Sequence, residues 1–285
     1  ALGETGAPAA LLDLHRAGFS ETYVLMPLLP DFRSEYLLAL SSDAQIDPFG
    51  VDWAIWERQD IHTEYYGPDV HHALFALTAA VSKALGLPAA TARSAPFALQ
   101  SSTKDLRPRS EPPDDQLADV RSFGSLHVIR GPDGYCDPAL GAGDCRWILA
   151  GKRPALTSAA MQQAEAVTLP AMGILGPRAK RVLLLGSWTG YAASLVLQFP
   201  QVARVVVVDA DMAALEDVGK CFPSVLKALR DPRVELVRAE IFEWMRKQTE
   251  EFDFIAVLMQ QNPWDAPSPA SRVPQTSAFF AALRR

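Results

Sequence analysis

Residues 181–191 read RVLLLGSWTGY. A short apolar run without alternation is the pattern of a strand buried on both faces. Gly186 and Gly190 bracket a turn, and GYAASLVLQF (190–199) then takes up helical spacing. Outward from this stretch the alternation repeats. RVVVVDAD (204–211) is a strand, AALEDVGKCFPSVLKAL (213–229) a helix and RVELVRAE (233–240) a strand; IFEWMRKQ (241–248) is a helix and DFIAVLM (253–259) a strand. Continuous Val/Ile/Leu strands separated by helices predict a parallel sheet covered on both faces. Right-handed crossovers then predict four parallel strands over 181–258 in the order 3-2-1-4. The fold class is α/β, with a doubly wound, mostly parallel Rossmann-like sheet.

Residues 1–100 read as a further α/β region whose role the sequence does not give. PAALLDLHRAG (8–18) has helical spacing, and ETYVLMPLL (21–29), EYLLALSS (35–42) and VDWAIWE (51–57) read as strands. Pro68 and Asp69 open a helix over PDVHHALFALTAAVSKALGL (68–87), which Gly86 and Pro88 close. Residues 101–120 are polar and proline-rich and read as a linker. SLHVIR (125–130) and CRWILAG (145–151) read as two strands joined by a Gly/Pro-rich loop, and SAAMQQAEAVTLPAMGIL (158–175) as a helix. The expected divisions are 1–100, a linker over 101–120, a small strand and helix segment over 121–170, and a Rossmann-like domain over 171–285.

Of 285 residues, 49% are hydrophobic and 21% charged, which fits a soluble globular protein. The net charge of −6 argues against broad electrostatic binding to nucleic acid or an anionic membrane. The apolar run HHALFALTAAVSKALGLPAA (71–90) is broken by Lys83 and Pro88 and is too short to be a transmembrane segment. Cys136, Cys145 and Cys221 contain no CxxC pair. Cys136 and Cys145 could join across CDPALGAGDC; the plainer expectation is free thiols in a reducing compartment. No signal peptide is recognisable; the sequence begins with Ala1 and not Met, which fits a leader either cut off or left out, so an organelle interior after removal of a leader stays open beside a reducing compartment.

In sheets of this class ligands sit at the carboxyl ends of the strands, where the topology switches. Gly186 to Gly190, Asp209 with Asp211, and Glu240 stand there. An acid after the second strand can accept both ribose hydroxyls of a nucleoside, and one after the third can lie near the adenine. A dinucleotide G-x-G-x-x-G would need glycine at Trp188 and Tyr191, so the turn is nearer the E/D-x-G-x-G-x-G of S-adenosylmethionine folds. His62, His71 and His72 are not spaced as a metal site, and no metal is expected. Trp53, Trp56, Tyr65 and Tyr66 could line a cleft, or close a core.

The stretch RVLLLGSWTGYAASLVLQFPQVARVVVVDADMAALEDVGKCFPSVLKALRDPRVELVRAEIFEWMRKQTEEFDFIAVL (181–258) resembles the spermidine synthase family. The features in common are the glycine turn, a V-E-I-D-like second-strand end, a CFP-like break and a DPRV entry to the third strand. TSAFFAALRR (276–285) is similar to a later family helix, and CRWILAGKRPALTSAAMQQAEAVTLP (145–170) to its small N-terminal strands and gating segment. The resemblance covers roughly residues 121–285 and implies a fold of the class I methyltransferase/spermidine synthase type. The family's sheet continues through later strands beyond the helix that TSAFFAALRR resembles, so the expectation is either that the natural chain is longer or that another surface covers that sheet edge.

Carried over residue by residue, the family's site is largely missing. Its glycine-rich turn becomes Gly186, Ser187, Trp188, Thr189, Gly190, so an indole stands where a glycine lets the cofactor approach. Its catalytic acid, in D-x-x-D-P, falls at Leu258, and the second acid at Gln261. Leucine cannot accept a proton. Asp265 is the remaining substitute base. The polycation-binding residues of the gating segment fall at Ala155, Ala160, Ala164 and Glu165. Asp209, Asp211 and Glu240 survive as vestigial binding acids. The expectation is a catalytically degenerate protein, a structural or binding subunit working with other protein subunits and without a cofactor. Any ligand would be S-adenosylmethionine, its decarboxylated form or methylthioadenosine. Two alternatives stay open: an active aminopropyl- or methyltransferase with a divergent site, and a nucleoside-binding regulatory module.

Overall fold

The computed structural model describes residues 17–27, 38–63, 65–77, 118–123, 126–130, 146–150, 153–157, 160–186, 190–209, 223–258 and 277–284. The chain divides into two compact units. One comprises Ala1–Phe49, Gly67–Pro108 and Pro274–Arg285, and the other Gly50–Tyr66 and Arg109–Val273.

In the first unit β1 (Glu21–Leu25) pairs antiparallel with β2 (Leu38–Ser42), Thr22 standing opposite Ser41. Helix α2 (Pro68–Leu74) starts at its proline, as the sequence predicts; Phe75 caps it, so residues 75–77 leave the predicted helical span early. Its Leu74 carbonyl accepts the N–H of Met26 at 2.7 Å, which ties the helix to the end of β1. Leu25, Leu74 and Phe279 of α7 (Ser277–Leu283) are buried in this unit.

The second unit opens with a correction. VDWAIWE is not a strand, because α1 spans Trp53–Arg58. Asp52 is its N-cap, the Oδ1 accepting the N–H of Ile55 at 3.2 Å. That side-chain bond satisfies a free donor of the first turn and favours helix over the extended alternative. Next comes an antiparallel meander of β3 (Ala118–Phe123), β4 (Leu126–Arg130), β5 (Arg146–Ala150) and β6 (Arg153–Thr157), paired in chain order. The sequence predicts only β4 and β5, and β3 begins inside the segment read as linker.

Helix α3 (Ala160–Leu175) leads through a 3-10 turn (Gly176–Arg178) into the parallel sheet. Its strands are β7 (Arg181–Leu185), β8 (Arg204–Asp209), β9 (Val234–Arg238) and β10 (Phe254–Val257). They lie in the order β10-β7-β8-β9, and every pairing is parallel. This is the predicted 3-2-1-4 order. Val182, Leu183, Leu184 and Leu185 are all 0% exposed, so both faces of β7 are covered and the sheet is Rossmann-like. Helices α4 (Tyr191–Val196) and α5 (Pro223–Leu229) follow β7 and β8; α4 packs against both α3 and α5. After β9 the chain passes through α6 (Ile241–Lys247) to reach β10 at the other edge of the described sheet. The DPRV entry to β9 is a clamp. The Arg233 guanidinium holds Asp231 at 2.9 Å and donates to the carbonyls of Val202 and Leu197, both at 3.2 Å.

Candidate functional site

Parallel pairing brings the carboxyl ends of all four strands to one edge. The N–H of Gly186 donates to Val208 O at 2.9 Å, that of Ala239 to Asp209 O at 3.1 Å, and that of Leu258 to Leu185 O at 2.8 Å. These three bonds continue the ladders past the strands and fix the relative positions of Gly186 and the ends of β8, β9 and β10.

The glycines are required by the backbone itself. Gly186 has φ 72° and Gly190 φ 67°. This left-handed region costs an L-residue about 1–2 kcal/mol and a glycine almost nothing. Gly190 is also the N-cap of α4, its carbonyl accepting the N–H of Ser194 at 3.1 Å. Both are buried. Trp188, between them, lies outside the described residues.

Asp209 closes β8, half-buried and in register with Arg238 of β9. It stands at the end of the second parallel strand, the position where an acid for a ribose is expected from the sequence. Asp211 lies outside the described residues. Glu240 is exposed and caps a helix. As N-cap of α6 it accepts the N–H of Phe242 at 3.1 Å through one carboxylate oxygen and that of Glu243 at 2.8 Å through the other. Its negative charge at a helix N-terminus is favourable there whether or not a ligand binds.

Leu258 directly follows β10 and is half-buried, one hydrogen bond away from the residue that precedes Gly186. An isobutyl side chain stands where the resemblance implies a base. Asp265 and Gln261 lie outside the described residues. Asp253 sits at the other end of the sheet. Its Oδ2 accepts the N–H groups of Lys180 at 3.0 Å and Arg181 at 2.8 Å. Burial pushes its carboxyl up, but the bonds from Arg181 and Lys180 and the Arg181 guanidinium together outweigh burial and hold it below its usual range.

The gating stretch is engaged in packing. Ala164 is buried, and Glu165 is 0% exposed. One oxygen of Glu165 accepts the backbone N–H groups of both Tyr65 at 2.8 Å and Tyr66 at 2.7 Å. A buried carboxylate needs such partners, and the acid within AEAVTLP was the signal for them in the sequence. The aromatics close a core: Trp56 and Tyr66 are 8% and 3% exposed, and Trp56 meets Phe199 edge-on at 5.3 Å. Desolvation pushes the Tyr66 phenol far above its usual range.

Among the described residues no group of His, Cys, Asp or Glu could hold a metal ion. His71 is buried and its Nε2 donates to Pro48 O at 2.6 Å, whereas His72 turns its Nδ1 to Pro68 O at 2.7 Å. The two rings stand perpendicular. No helix among the described residues is long and apolar enough to cross a membrane.

The adenosyl group implied by the resemblance fits part of this edge. The left-handed glycines allow a backbone to come close to a ligand, and Asp209 suits a ribose. On the amine side, Leu258 stands where the resemblance implies an acid.

Residues 164–280 match the spermine/spermidine synthase domain. The polyamine aminopropyltransferase of Thermoanaerobacter sp. (strain X514) is 35% identical over 78 residues, 27% of this chain and 28% of that protein. Polyamine aminopropyltransferase 2 of Ralstonia nicotianae is 36% identical over 97 residues, 33% of this chain and 19% of that protein. The matched region is thus under a third of these relatives' own lengths. The crystal structure of spermidine synthase from Thermotoga maritima aligns with a TM-score of 0.40 at 22% identity, over 50% of this chain and 47% of that one.

Proposed function

Starting from the premise that the chain is spermidine synthase-like through its residues 164–280, we propose that it is a non-catalytic relative, acting as a structural or binding subunit alongside other proteins. The observation that carries this is Leu258. Its N–H is bonded to Leu185 O, so it occupies the carboxyl end of β10 beside the glycine turn. Polyamine nitrogens have pKa values comparable to the ~10.4 of lysine, so transfer to them needs a group that removes a proton. Leucine cannot do this, and it also removes the charge that would hold a cation. Glu165 points the same way: in the stretch resembling the gating segment its carboxylate is spent on two backbone N–H groups. The intact pattern of apolar β7 and β8 beside a depleted site is what a fold kept as a scaffold requires.

A second reading keeps one observation on its side. Gly186, Gly190 and Asp209 retain the nucleoside end of the site, and the relatives that match are aminopropyltransferases. A divergent but active transferase would use decarboxylated S-adenosylmethionine there. Calorimetry with S-adenosylmethionine, its decarboxylated form and methylthioadenosine separates the readings. The scaffold reading expects no heat with any of them. Binding of methylthioadenosine alone, abolished by Asp209→Ala, would mean a nucleoside-binding module. Tight binding of the decarboxylated form would favour the transferase.

A further inference from the structure

In the antiparallel pair of β1 and β2 the chain connects Leu25 to Leu38, so the open end of the pair is where Glu21 stands opposite Ser42. Arg284, directly after α7, reaches both sides of that open end. Its Nε donates to Asp43 Oδ1 at 2.7 Å, just past β2, and its Nη1 donates to the Ala17 carbonyl at 3.4 Å, just before β1. Gly18 leaves room for the guanidinium: its φ is +88°, and a Cβ there would lie 2.5 Å from Nη1. The connected end of the pair is tied to α2 instead, through the bond from Met26 to Leu74 O. Phe279 of α7 is 1% exposed, as buried as Leu25 and Leu74. Residues 274–285 accordingly cluster with 1–49 and 67–108, and not with the parallel sheet.

We propose that α7 is a strap that closes the first unit at the open end of β1 and β2, and that it does not serve the Rossmann-like sheet, although its sequence is similar to a helix of the spermidine synthase family. A two-stranded sheet is marginal in water on its own. Helices α2 and α7, of 7 residues each, are too short to persist alone. Each of these elements therefore gains its order from packing on the others. Phe279 supplies apolar burial, and Arg284 joins segments 241 positions apart in the chain. The Arg284–Asp43 pair is weak, because the two side chains are 43% and 46% exposed. Phe279 is thus the stronger of the two attachments. The expected Rossmann-like domain over 171–285 then loses its last helix to the first unit, and that unit is complete only when residues from both ends of the sequence come together.

The test is amide hydrogen exchange on the full chain, which requires no ligand and does not depend on the proposed function. Phe279→Ala removes a buried ring, so exchange in peptides covering 21–25, 38–42 and 68–74 rises about a hundredfold or more. Peptides covering 181–185 and 204–209 keep their protection. Arg284→Ala leaves the ring and removes only the exposed clamp, so exchange over 21–25 and 38–42 rises about two- to tenfold. Should Phe279→Ala fail to fold, Phe279→Leu, which keeps most of the apolar volume, gives a smaller rise in the same peptides. Unchanged exchange over 21–25 and 38–42 in the Phe279 variant that folds overturns the strap. A rise over 181–185 and 204–209 with 21–25 and 38–42 unmoved would return α7 to the sheet and overturn it. An equal rise in every peptide shows one cooperative body and overturns it as well.

Discussion

Replacing Asp253 by alanine tests how the sheet is held at its amino end. The Asp253 carboxylate bridges the start of β10 to the residues entering β7, accepting two backbone N–H groups at 3.0 and 2.8 Å. Bonds to a charged acceptor contribute about 1.5–3 kcal/mol each. The two share one oxygen, and Lys180 is exposed, so its freed N–H can reach water; the sum is about 2–3 kcal/mol. The Arg181 guanidinium lies 3.4 Å away with its side chain 43% exposed and adds little. For a unit of this size Asp253→Ala lowers the melting temperature by about 5–10 °C. Asp253→Asn keeps an acceptor without the charge and costs about half as much. The sign with pH follows from the lowered carboxyl. Its stabilisation is complete above the unfolded value of about 3.9 and is lost as pH falls through the folded value. Melting followed by circular dichroism therefore shows the gap between wild type and Asp253→Asn narrowing from about pH 6 to about pH 3. A change of under about 1 °C in Asp253→Ala at pH 6, or a gap that does not narrow, refutes the role given to this carboxylate.

Gly190→Ala forces a left-handed L-residue and lowers stability by about 1–2 kcal/mol in urea denaturation; no loss would contradict the αL cap of α4. His71 is buried, so desolvation pushes its imidazole down against the opposing bond to Pro48 O, with His72 lowering it further. Its folded value lies below the unfolded value of about 6.5, so its contribution is present above that pH and lost as pH falls. Exchange of amides in β1 and α2 should therefore speed up between about pH 7 and pH 5, after correction for intrinsic rates, in wild type but not in His71→Phe. Equal acid sensitivity in both would contradict it.

The parallel sheet was legible because RVLLLG and RVVVVD are continuous apolar strands, and burial on both faces leaves no other use for them. VDWAIWE was misread because in so short a run the alternation of Val51, Trp53 and Ile55 also suits a strand. The N-cap at Asp52 and the one-face spacing of Trp53 and Trp56 decide it for helix. Strands β3 and β6, ADVRSF and RPALT, carry charge or proline and offer no apolar run, so pairing with their neighbours outweighs local preference. At the site, the left-handed glycines at 186 and 190 were legible from the motif. The uses of Glu240 and Glu165 were not, because a family motif assigns residues to ligands before asking what their own backbone needs. Glu240 directly precedes IFEWM as a cap signature.

Whether Leu258 has ended the chemistry is decided by aminopropyl transfer itself. The unmodified chain, and Leu258→Asp, are incubated with decarboxylated S-adenosylmethionine carrying a labelled aminopropyl group and with putrescine or spermidine, and the labelled polyamine is measured. A positioned base contributes about 10²–10⁴-fold, and restoring one carboxylate does not restore the rest of the turn. No labelled product is expected from either protein. Robust turnover by the unmodified chain would contradict the non-catalytic reading and would place an active base elsewhere at the carboxyl edge of the sheet.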